Sequence, residues 1–485
     1  MFEGLYSWSA VTPALVVLGT AVLVLMVDLL VRPGSRLIPW LAGAGLLAGF
    51  LVSLAMQGTR ETAFSGAWRL DPYALFFYAL FCAAGAVTVV LSGAHEERQG
   101  RFPGEYYALL LFSVVGMMAM ASAEDLITLI LGLETMSLPA YVLVGLNRPD
   151  RRTSEGAVKY FLLGAFASAF LLYGTALIYG AAGATDFETL GSYLTAAGGS
   201  PGPLFGAGAV MLLVGLGFKV AAVPFHMWAP DAYQAAPTPI TAFMATAIKA
   251  AGFAAMVRIF GLLFAYPAAG YHDLVYALAV LSMIVGNFGA LMQANLKRML
   301  AYSSVAHVGY LLVALVASRP LVSTQAGTSV LFYLTGYALM TLGAFAVMVM
   351  VQGGADRRET LPDWAGLSSR SPGLALAMAL FMISLSGIPG TVGFFGKFYA
   401  FGAAVQTGYI GLAVLGVLTS VVGVYYYLRV VVYMYMRPAE KSYEVYPRPL
   451  AGRLTAGILA VAVLYAGIFP QSLLQAARTA FLSLF

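Results

Sequence analysis

Three lysines and one glutamate lie inside long apolar stretches of this sequence, where charged side chains are rare. Lys219 and Lys249 each lie near the middle of an apolar segment, Lys397 lies in a third, and Glu134 lies within LILGLETMSLPAY. A lysine at the centre of a membrane helix costs at least about 2.5 kcal/mol, so its presence indicates a function. Groups that take up and release protons at this depth can form a proton path. We interpret these residues as a candidate proton relay.

Two histidines also occur in apolar surroundings. The unperturbed imidazole titrates near neutral pH, which suits proton transfer. We favour such a function for His307, because Ser303 and Ser304 lie one turn away and can help to hold water. For His226, a structural role is an equally good interpretation, in which core groups satisfy the hydrogen bonds of its ring.

Each of these charged residues also has a structural interpretation. Glu134 could form an ion pair that fastens two helices, and the lysines could be solvated by free carbonyls. Lys397 lies toward the end of its span and could extend its ammonium to the membrane surface. Lys249 lies about 16 Å along its helix, which is too deep for that. Central depth therefore favours a relay for Glu134 and Lys249.

Prolines and glycines interrupt two of the apolar segments. Pro224 follows Lys219 by five residues, and the sequence GIPG at Gly387–Gly390 precedes Lys397. Proline removes a backbone donor, and lipid tolerates a broken helix only where protein or water satisfies the freed groups. We predict a broken helix at each position, beside a lysine. In transporters such breaks form ion sites.

The composition is that of a membrane protein. Of 485 residues, 61% are hydrophobic and only 10% are charged, whereas soluble domains are about 25% charged. The single cysteine, Cys82, lies in an apolar run and is interpreted as a small hydrophobic residue. No Cys/His cluster predicts a metal site, and no glycine-rich loop predicts a phosphate site. The first apolar run is predicted to be a retained helix, not a signal peptide.

The fold class predicted from these runs is an all-α polytopic membrane protein with about 14 transmembrane helices. The connections between spans are too short for a soluble catalytic domain, so the function should lie within the membrane. The predicted spans are 11–30, 37–56, 73–92, 106–122, 126–146, 158–182, 205–229, 238–264, 274–293, 300–317, 328–351, 374–402, 409–436 and 453–476.

Basic residues are distributed unevenly between the two sets of loops. The loops that follow odd-numbered spans hold sixteen: Arg32, Arg36, Arg98, Arg101, Arg148, Arg151, Arg152, Lys297, Arg298, Arg357, Arg358, Arg370, Arg437, Lys441, Arg448 and Arg453. The opposite loops and the C-terminal tail hold four: Arg60, Arg69, Arg319 and Arg478. Cytoplasmic loops are enriched in lysine and arginine, so both termini are predicted to face away from the cytoplasm. Arg258, Arg429 and Tyr425–Tyr427 are expected near the membrane surfaces as anchors.

The two predicted breaks fall in the seventh and twelfth spans, five spans apart. An odd offset inverts the second copy, which predicts two inverted five-helix repeats. The predicted organisation is a three-helix segment at residues 1–100, a first repeat at 101–265, a second repeat at 266–436 and a C-terminal helix at 437–485.

Four motifs together resemble a known family. GLETMSLPAY, GFKVAAVPFHMWAPDAYQAAPTPITAF, NLKRMLAYSSVAHVGYLL and SGIPGTVGFFGKFYAF occur in the order found in the antiporter-like subunits of respiratory complex I. The resemblance covers about residues 100 to 435, and the lysine at position 397 is similar to that of subunit N. A subunit of a stand-alone multisubunit cation/proton antiporter is the alternative.

The resemblance implies roles for the candidate residues. Glu134 and Lys219 would form an ion pair between the fifth and seventh helices, and Lys249 would be the central proton carrier. Lys397 would lie near the outward exit, with His307 in the polar axis between the sites. The chain itself would bind no redox cofactor, because FMN, iron–sulfur clusters and quinone belong to other subunits. Its partners would be neighbouring membrane-arm subunits in the bacterial plasma (inner) membrane. A membrane scaffold whose lysines only fasten helices is the third interpretation.

Overall fold

The fold of the chain is taken from a computed structural model that describes residues 7–32, 35–96, 103–146, 150–263, 271–318, 324–352, 358–439 and 449–485. Within these ranges, 13 helices are long and apolar enough to cross a membrane. The predicted twelfth span is present as two shorter helices that together can make one crossing. The predicted all-α polytopic fold with about fourteen crossings is therefore confirmed.

The first half of the chain contains a small hairpin besides its helices. The elements are α1 Trp8–Asp28, α2 Leu37–Ala55, β1 Glu61–Ala63, β2 Trp68–Leu70, α3 Pro72–Glu96, α4 Gly104–Ser122, α5 Leu126–Val144, α6 Arg151–Ala182, α7 Phe187–Ala196, α8 Pro203–Val220, α9 Trp228–Ala235 and α10 Thr238–Phe243. Strands β1 and β2 pair antiparallel.

The second half begins with a π-helical turn, Met244–Ile248, which joins α10 to the next helix. The elements are α11 Lys249–Leu263, α12 Tyr271–Leu291, α13 Leu296–Ala317, α14 Thr324–Val351, a 3₁₀ turn Leu361–Trp364, α15 Leu367–Arg370, α16 Pro372–Ser386, α17 Val392–Gln406, α18 Ile410–Met436, α19 Leu450–Ile468 and α20 Pro470–Leu482.

The first predicted break is present between α8 and α9. Ala221 adopts a left-handed conformation with φ 61°, which ends α8, and the Val223–Pro224 peptide bond is cis. The backbone N–H of Val223, released from the helical ladder, donates to Ser282 Oγ on α12 at 2.9 Å. A neighbouring helix thus satisfies the freed backbone group, as a break within a membrane requires.

The second predicted break is present between α16 and α17. Helix α16 ends at Ser386, and Gly387 follows with φ 87°, a conformation that glycine adopts without strain. Helix α17 begins at Val392 after a short irregular connection. Lys397 lies one to two turns into α17, so its ammonium can return to the end of α16.

Some predicted helix boundaries are wrong. Helix α6 begins at Arg151, several residues before the predicted start of the sixth span, because Asp150 caps it by accepting the Arg152 N–H. The last span does not reach residue 476. It ends at Ile468, and Pro470 begins the separate helix α20, since proline suits the first position of a helix. The hairpin β1–β2 and the short helix α7 were not predicted.

The inverted repeat remains a prediction. Two isolated bridges between backbone segments have the spacing that such a repeat would give. Asp125, which precedes α5, forms an isolated antiparallel bridge with Asp186. Asn295, which precedes α13, forms the same kind of bridge with Thr360. Helices α5 and α13 are the fifth and tenth crossings, so the two bridges are five spans apart. The division into four domains is likewise untested.

The centre of the bundle is formed by the helices that carry the candidate residues. The segment Thr238–Gly261 is 100% buried over its most apolar window, and α13 is 94% buried. By contrast, α1, α2, α6 and α19 are less than half buried and expose apolar faces. Lys249 and His307 are therefore held in the protein interior and away from lipid.

The predicted orientation of the chain is not tested by the fold itself. Several basic residues on which it depends lie outside the described ranges: Arg98, Arg101, Arg148, Arg319, Arg357, Lys441 and Arg448.

Candidate functional site

Lys249 is the first residue of α11 and follows the π-helical turn directly. Its side chain is buried, with 2% of the residue exposed. The ammonium donates to Ser304 O at 3.1 Å and to Ser304 Oγ at 2.8 Å, both on α13. Single π-helical turns inside α-helices often occur at functional sites. Here the turn precedes Lys249. Both oxygen atoms that accept from Lys249 are uncharged, so they do not neutralise the positive charge of the lysine.

Lys219 lies one residue before the end of α8 and is also buried. Its ammonium lies 5.4 Å from the Tyr141 ring centroid and 5.8 Å from that of Tyr160. Among the described residues it has no hydrogen-bond partner. A cation over aromatic faces is attracted by the ring quadrupole, but this is weaker than a carboxylate contact. The ammonium is thus attracted by the two aromatic rings, but no hydrogen bond fixes its position.

Glu134 lies on α5 and is partly buried. One of its carboxylate oxygens accepts a hydrogen bond from Ser168 on α6. No hydrogen bond joins this carboxylate to Lys219, whose ammonium has no hydrogen-bond partner in the described part of the chain. The ion pair that the resemblance implies stays a prediction. The two charged residues are present on the expected helices, α5 and α8.

His307 is the centre of a hydroxyl network. Its Nδ1 lies 2.8 Å from the Tyr333 hydroxyl, and its Nε2 lies 3.0 Å from the Tyr427 hydroxyl. Tyr427 in turn is hydrogen-bonded to Ser303. Because Ser303 is adjacent to Ser304, the network begins beside the group that binds Lys249. Ser303 is thus connected to His307 through Tyr427, whereas Ser304 contacts Lys249. The predicted role of these serines in holding water near His307 stays a prediction.

Lys397 donates three hydrogen bonds in the buried gap between α16 and α18. The acceptors are Leu385 O at 3.1 Å, Ser386 O at 2.8 Å and Ser420 Oγ at 2.8 Å. Its ammonium also lies 5.2 Å from the Tyr310 ring centroid. The alternative that Lys397 extends to the membrane surface is wrong, because the broken helix draws the side chain inward.

His226 lies apart from the other candidates. It falls in the irregular stretch between α8 and α9 and is half-buried. Its ring lies 6.3 Å from that of Tyr302, and Nδ1 has no partner among the described residues. The structure therefore does not bring His226 into the network around His307.

Some residues were missed or placed wrongly from the sequence. Tyr426 and Tyr427 are buried, not interfacial, and only Tyr425 is exposed. Because an α-helix has 3.6 residues per turn, three consecutive residues lie on different faces of α18. This periodicity could have distinguished Tyr425 from Tyr426 and Tyr427. Ser420 was not identified, because a single serine in an apolar helix carries no signal of its own.

Arg258 is not a surface anchor. It is buried and pairs with Asp71 at 3.1 Å and with Glu124. Its guanidinium also lies 5.1 Å from the Tyr73 ring centroid. Arg429, in contrast, donates to the carbonyls of Leu291 and Gln293 at the end of α12, and its role as a surface anchor stays a prediction.

Lys297 was assigned to a loop but is buried at the start of α13. Its ammonium donates to Ala236 O at 2.7 Å and to Gln234 O at 3.3 Å, and it lies 3.5 Å from Glu359. It therefore joins α13 to the connection after the first broken helix.

A polar cavity of about 320 Å³ lies against the same connection. It is lined by Arg152, Glu155, Gly156, Lys159, Asp231, Gln234 and Ala235. Asp231 on α9 accepts from Lys159 at 2.9 Å and from Arg298 at 2.6 Å. Burial alone raises the pKa of the Asp231 carboxyl, but the hydrogen bonds from Lys159 and Arg298 outweigh it and lower that pKa. This carboxylate is thus charged at neutral pH.

No group of three or more His, Cys, Asp or Glu side chains suitable for a metal ion occurs within the ranges that the structure describes. The site can hold and pass protons between amines, hydroxyls and an imidazole.

Comparison with known sequences assigns the chain to a family. The family described as NADH:quinone oxidoreductase/Mrp antiporter, TM, matches residues 123–423. NADH-quinone oxidoreductase subunit N of Trichlorobacter lovleyi is 47% identical over 468 residues, covering 96% of this chain and 94% of that protein. Subunit N 2 of Rhizobium meliloti is 42% identical and covers 98% of both chains.

Solved structures show the same fold. A chain of respiratory complex I from Thermus thermophilus with bound aureothin is 36% identical, with a TM-score of 0.82, covering 96% of this chain and 98% of that one. A chain of the Mrp complex from Dietzia sp. is 21% identical, with a TM-score of 0.83, covering 99% of this chain and 98% of that one. At that identity the likeness concerns the fold alone.

Proposed function

Because this chain belongs to the NADH:quinone oxidoreductase/Mrp antiporter family and matches subunit N of complex I over nearly its whole length, we propose that it translocates protons within the membrane arm of that complex. Protons would move from the cytoplasm to the outside. The driving energy would come from NADH oxidation and quinone reduction in other subunits.

The observation that supports this proposal is a set of buried amines whose hydrogen-bond partners are uncharged, with a hydroxyl and imidazole network between them. Lys249 binds Ser304, and the adjacent Ser303 leads through Tyr427 to His307. Lys397 lies beyond, with the Tyr310 ring beside its ammonium. A charged lysine inside a membrane is costly, and a scaffold would neutralise it with a carboxylate. Uncharged partners instead leave each amine able to lose its proton.

The first step of the relay would involve Glu134 and Lys219. Helix α8 approaches α11 closely at Gly252, where an added Cβ would lie 2.7 Å from Val220 Cγ1 and 3.8 Å from Lys219 Cγ. Gly252 is one turn from Lys249, so Lys219 can move toward Lys249 or toward Glu134. At about 7 Å and an effective dielectric near 20, two unit charges interact by roughly 2.4 kcal/mol. We propose that this motion drives the proton from Lys249 toward Lys397.

The same proposal assigns cofactors and partners elsewhere in the complex. FMN, iron–sulfur clusters and quinone would be bound by other subunits. Neighbouring antiporter-like subunits would contact this chain in the bacterial inner membrane. Both termini would lie on the outer side. His226, which is outside the hydroxyl network, would contribute at most to the cytoplasmic side of the path.

A stand-alone multisubunit cation/proton antiporter is the second candidate, because the matching family includes Mrp antiporters. Purification of an affinity-tagged copy of the chain from its own membranes separates the two. We expect a flavin-containing complex that oxidises NADH and retains the tag on a native gel. Co-purification with antiporter subunits alone, without NADH oxidation, would establish the second candidate in place of the first.

A further inference from the structure

The end of α16 presents backbone carbonyls to the break that follows it. The last carbonyls of a helix have no partner inside the helix. Two of them are satisfied by the turn: Gly387 N–H donates to Ser384 O at 3.0 Å, and Ile388 N–H donates to Ile383 O at 3.3 Å. This is the ordinary way in which a glycine-terminated helix satisfies its last turn.

The next two carbonyls are satisfied in a different way. Leu385 O and Ser386 O both accept from the Lys397 ammonium, which also donates to Ser420 Oγ. The Tyr310 ring lies beside the same ammonium. All of these partners are uncharged, and the negative end of the α16 dipole points at the lysine.

Two carbonyls, a hydroxyl and a helix C-terminus also form the environment that a hard monovalent cation requires. Carbonyl oxygens can replace the hydration shell of such an ion, and half-helix C-termini with unwound carbonyls coordinate sodium in transporters. We propose that the break between α16 and α17 is a monovalent-cation site that Lys397 occupies with its own ammonium. The lysine thereby excludes sodium and makes this part of the path selective for protons.

The other buried lysines do not have this set of partners. Lys249 takes both acceptors from one residue, Ser304, in the interior of α13. Lys297 lies 3.5 Å from the Glu359 carboxylate. Lys249 therefore serves as a control for the loss of a buried ammonium without a cation site.

The Lys397 side chain occupies a volume beside the break that an ion could fill if the side chain were shortened. An added Cβ at Gly387 would lie 2.9 Å from Lys397 Cδ and 3.1 Å from Nζ, so the side chain fills the volume beside the break. Lys397→Ala empties this volume and exposes the oxygen atoms. Lys397→Met removes the charge but refills most of the volume with an apolar chain.

The test measures equilibrium binding of radioactive sodium to the purified complete complex, with choline salt holding the ionic strength constant. We expect Lys397→Ala to bind about one more sodium ion per complex than the unsubstituted protein. Lys397→Met and Lys249→Ala should show no gain. A second substitution, Ser420→Ala, should weaken the binding gained by Lys397→Ala.

Three results would overturn the proposal. They are no gain in an assembled Lys397→Ala complex, an equal gain in Lys397→Met, and an equal gain in Lys249→Ala. If the alanine variant does not assemble, Lys397→Ser empties the same volume with a small polar side chain, and the same gain is required of it. The inference deepens the proposed function, but binding is measured without turnover. Failure of proton translocation would be recorded separately as lost acidification.

Discussion

The ammonium of Lys249 donates to both the backbone carbonyl and the hydroxyl of Ser304, a residue on another helix. Lys249 and Ser304 are both buried, and neither Ser304 oxygen atom is charged. The contact orients the lysine without neutralising it. This contact differs from a structural ion pair, and it fits the proposed role of Lys249 in gaining and losing a proton.

Lys249→Arg tests whether this residue must release its proton. Arginine keeps the positive charge but, with a pKa above about 12, does not deprotonate in proteins. We expect the complex to assemble and NADH-driven acidification of inverted vesicles to fall severalfold. Lys159→Arg, at a half-exposed lysine paired with Glu155 and Asp231, is the matched control and should acidify normally. Normal acidification by assembled Lys249→Arg would exclude proton release by Lys249.

Tyr427→Phe tests the hydroxyl bridge between Ser303 and His307. The substitution removes only the oxygen atom that contacts both, so packing in α18 is preserved. We expect slower acidification at an unchanged amount of assembled complex. Tyr425→Phe, two residues away on the exposed side of α18, should have no effect. If both variants acidify alike, the hydroxyl network is not part of the path.

Gly387→Ala tests the turn that places Lys397. With φ at 87°, an alanine there costs about 1–2 kcal/mol, and its Cβ would contact the lysine chain. We expect a lower melting temperature of the complex and reduced acidification. Gly373→Ala, in the first turn of α16 with open space around it, is the control. It should be neutral or slightly stabilising, and a similar loss in both variants would argue against a role for the turn.

Asp231→Asn tests the ion cluster at the polar cavity. The carboxyl pKa is lowered in the folded protein, so its contribution to stability is present above the ordinary value of 3.8 and is lost as pH falls through the folded value. We expect the difference in melting temperature between parent and variant to be constant near neutral pH. It should shrink below about pH 4. A difference of equal size at pH 7 and pH 3 would contradict this.

The orientation of the chain is tested by fused reporters. A reporter that is active only in the cytoplasm should be inactive after Phe485, because both termini are predicted to face the outside. The same reporter inserted in the connection between α5 and α6 should be active. Activity at the C-terminus and inactivity at the inserted position would contradict the predicted orientation.

The sequence alone determined the membrane class, the approximate number of crossings, the positions of both helix breaks and which charged residues lie within apolar runs. These features are local. Apolar runs of about 20 residues define crossings, proline and glycine define breaks, and a charge within such a run is visible without any knowledge of contacts.

Only the tertiary structure decided what each charge contacts. Lys397 and Ser420 are joined because α16, α17 and α18 pack together. Arg258 was expected to be a surface anchor, but it is a buried partner of Asp71 because α11 packs near the start of α3. Tyr427 contacts His307, and the Glu134 carboxylate accepts from Ser168, for the same reason. Long-range packing sets the distance between groups, and a chain of apolar helices carries almost no local signal of which faces will meet.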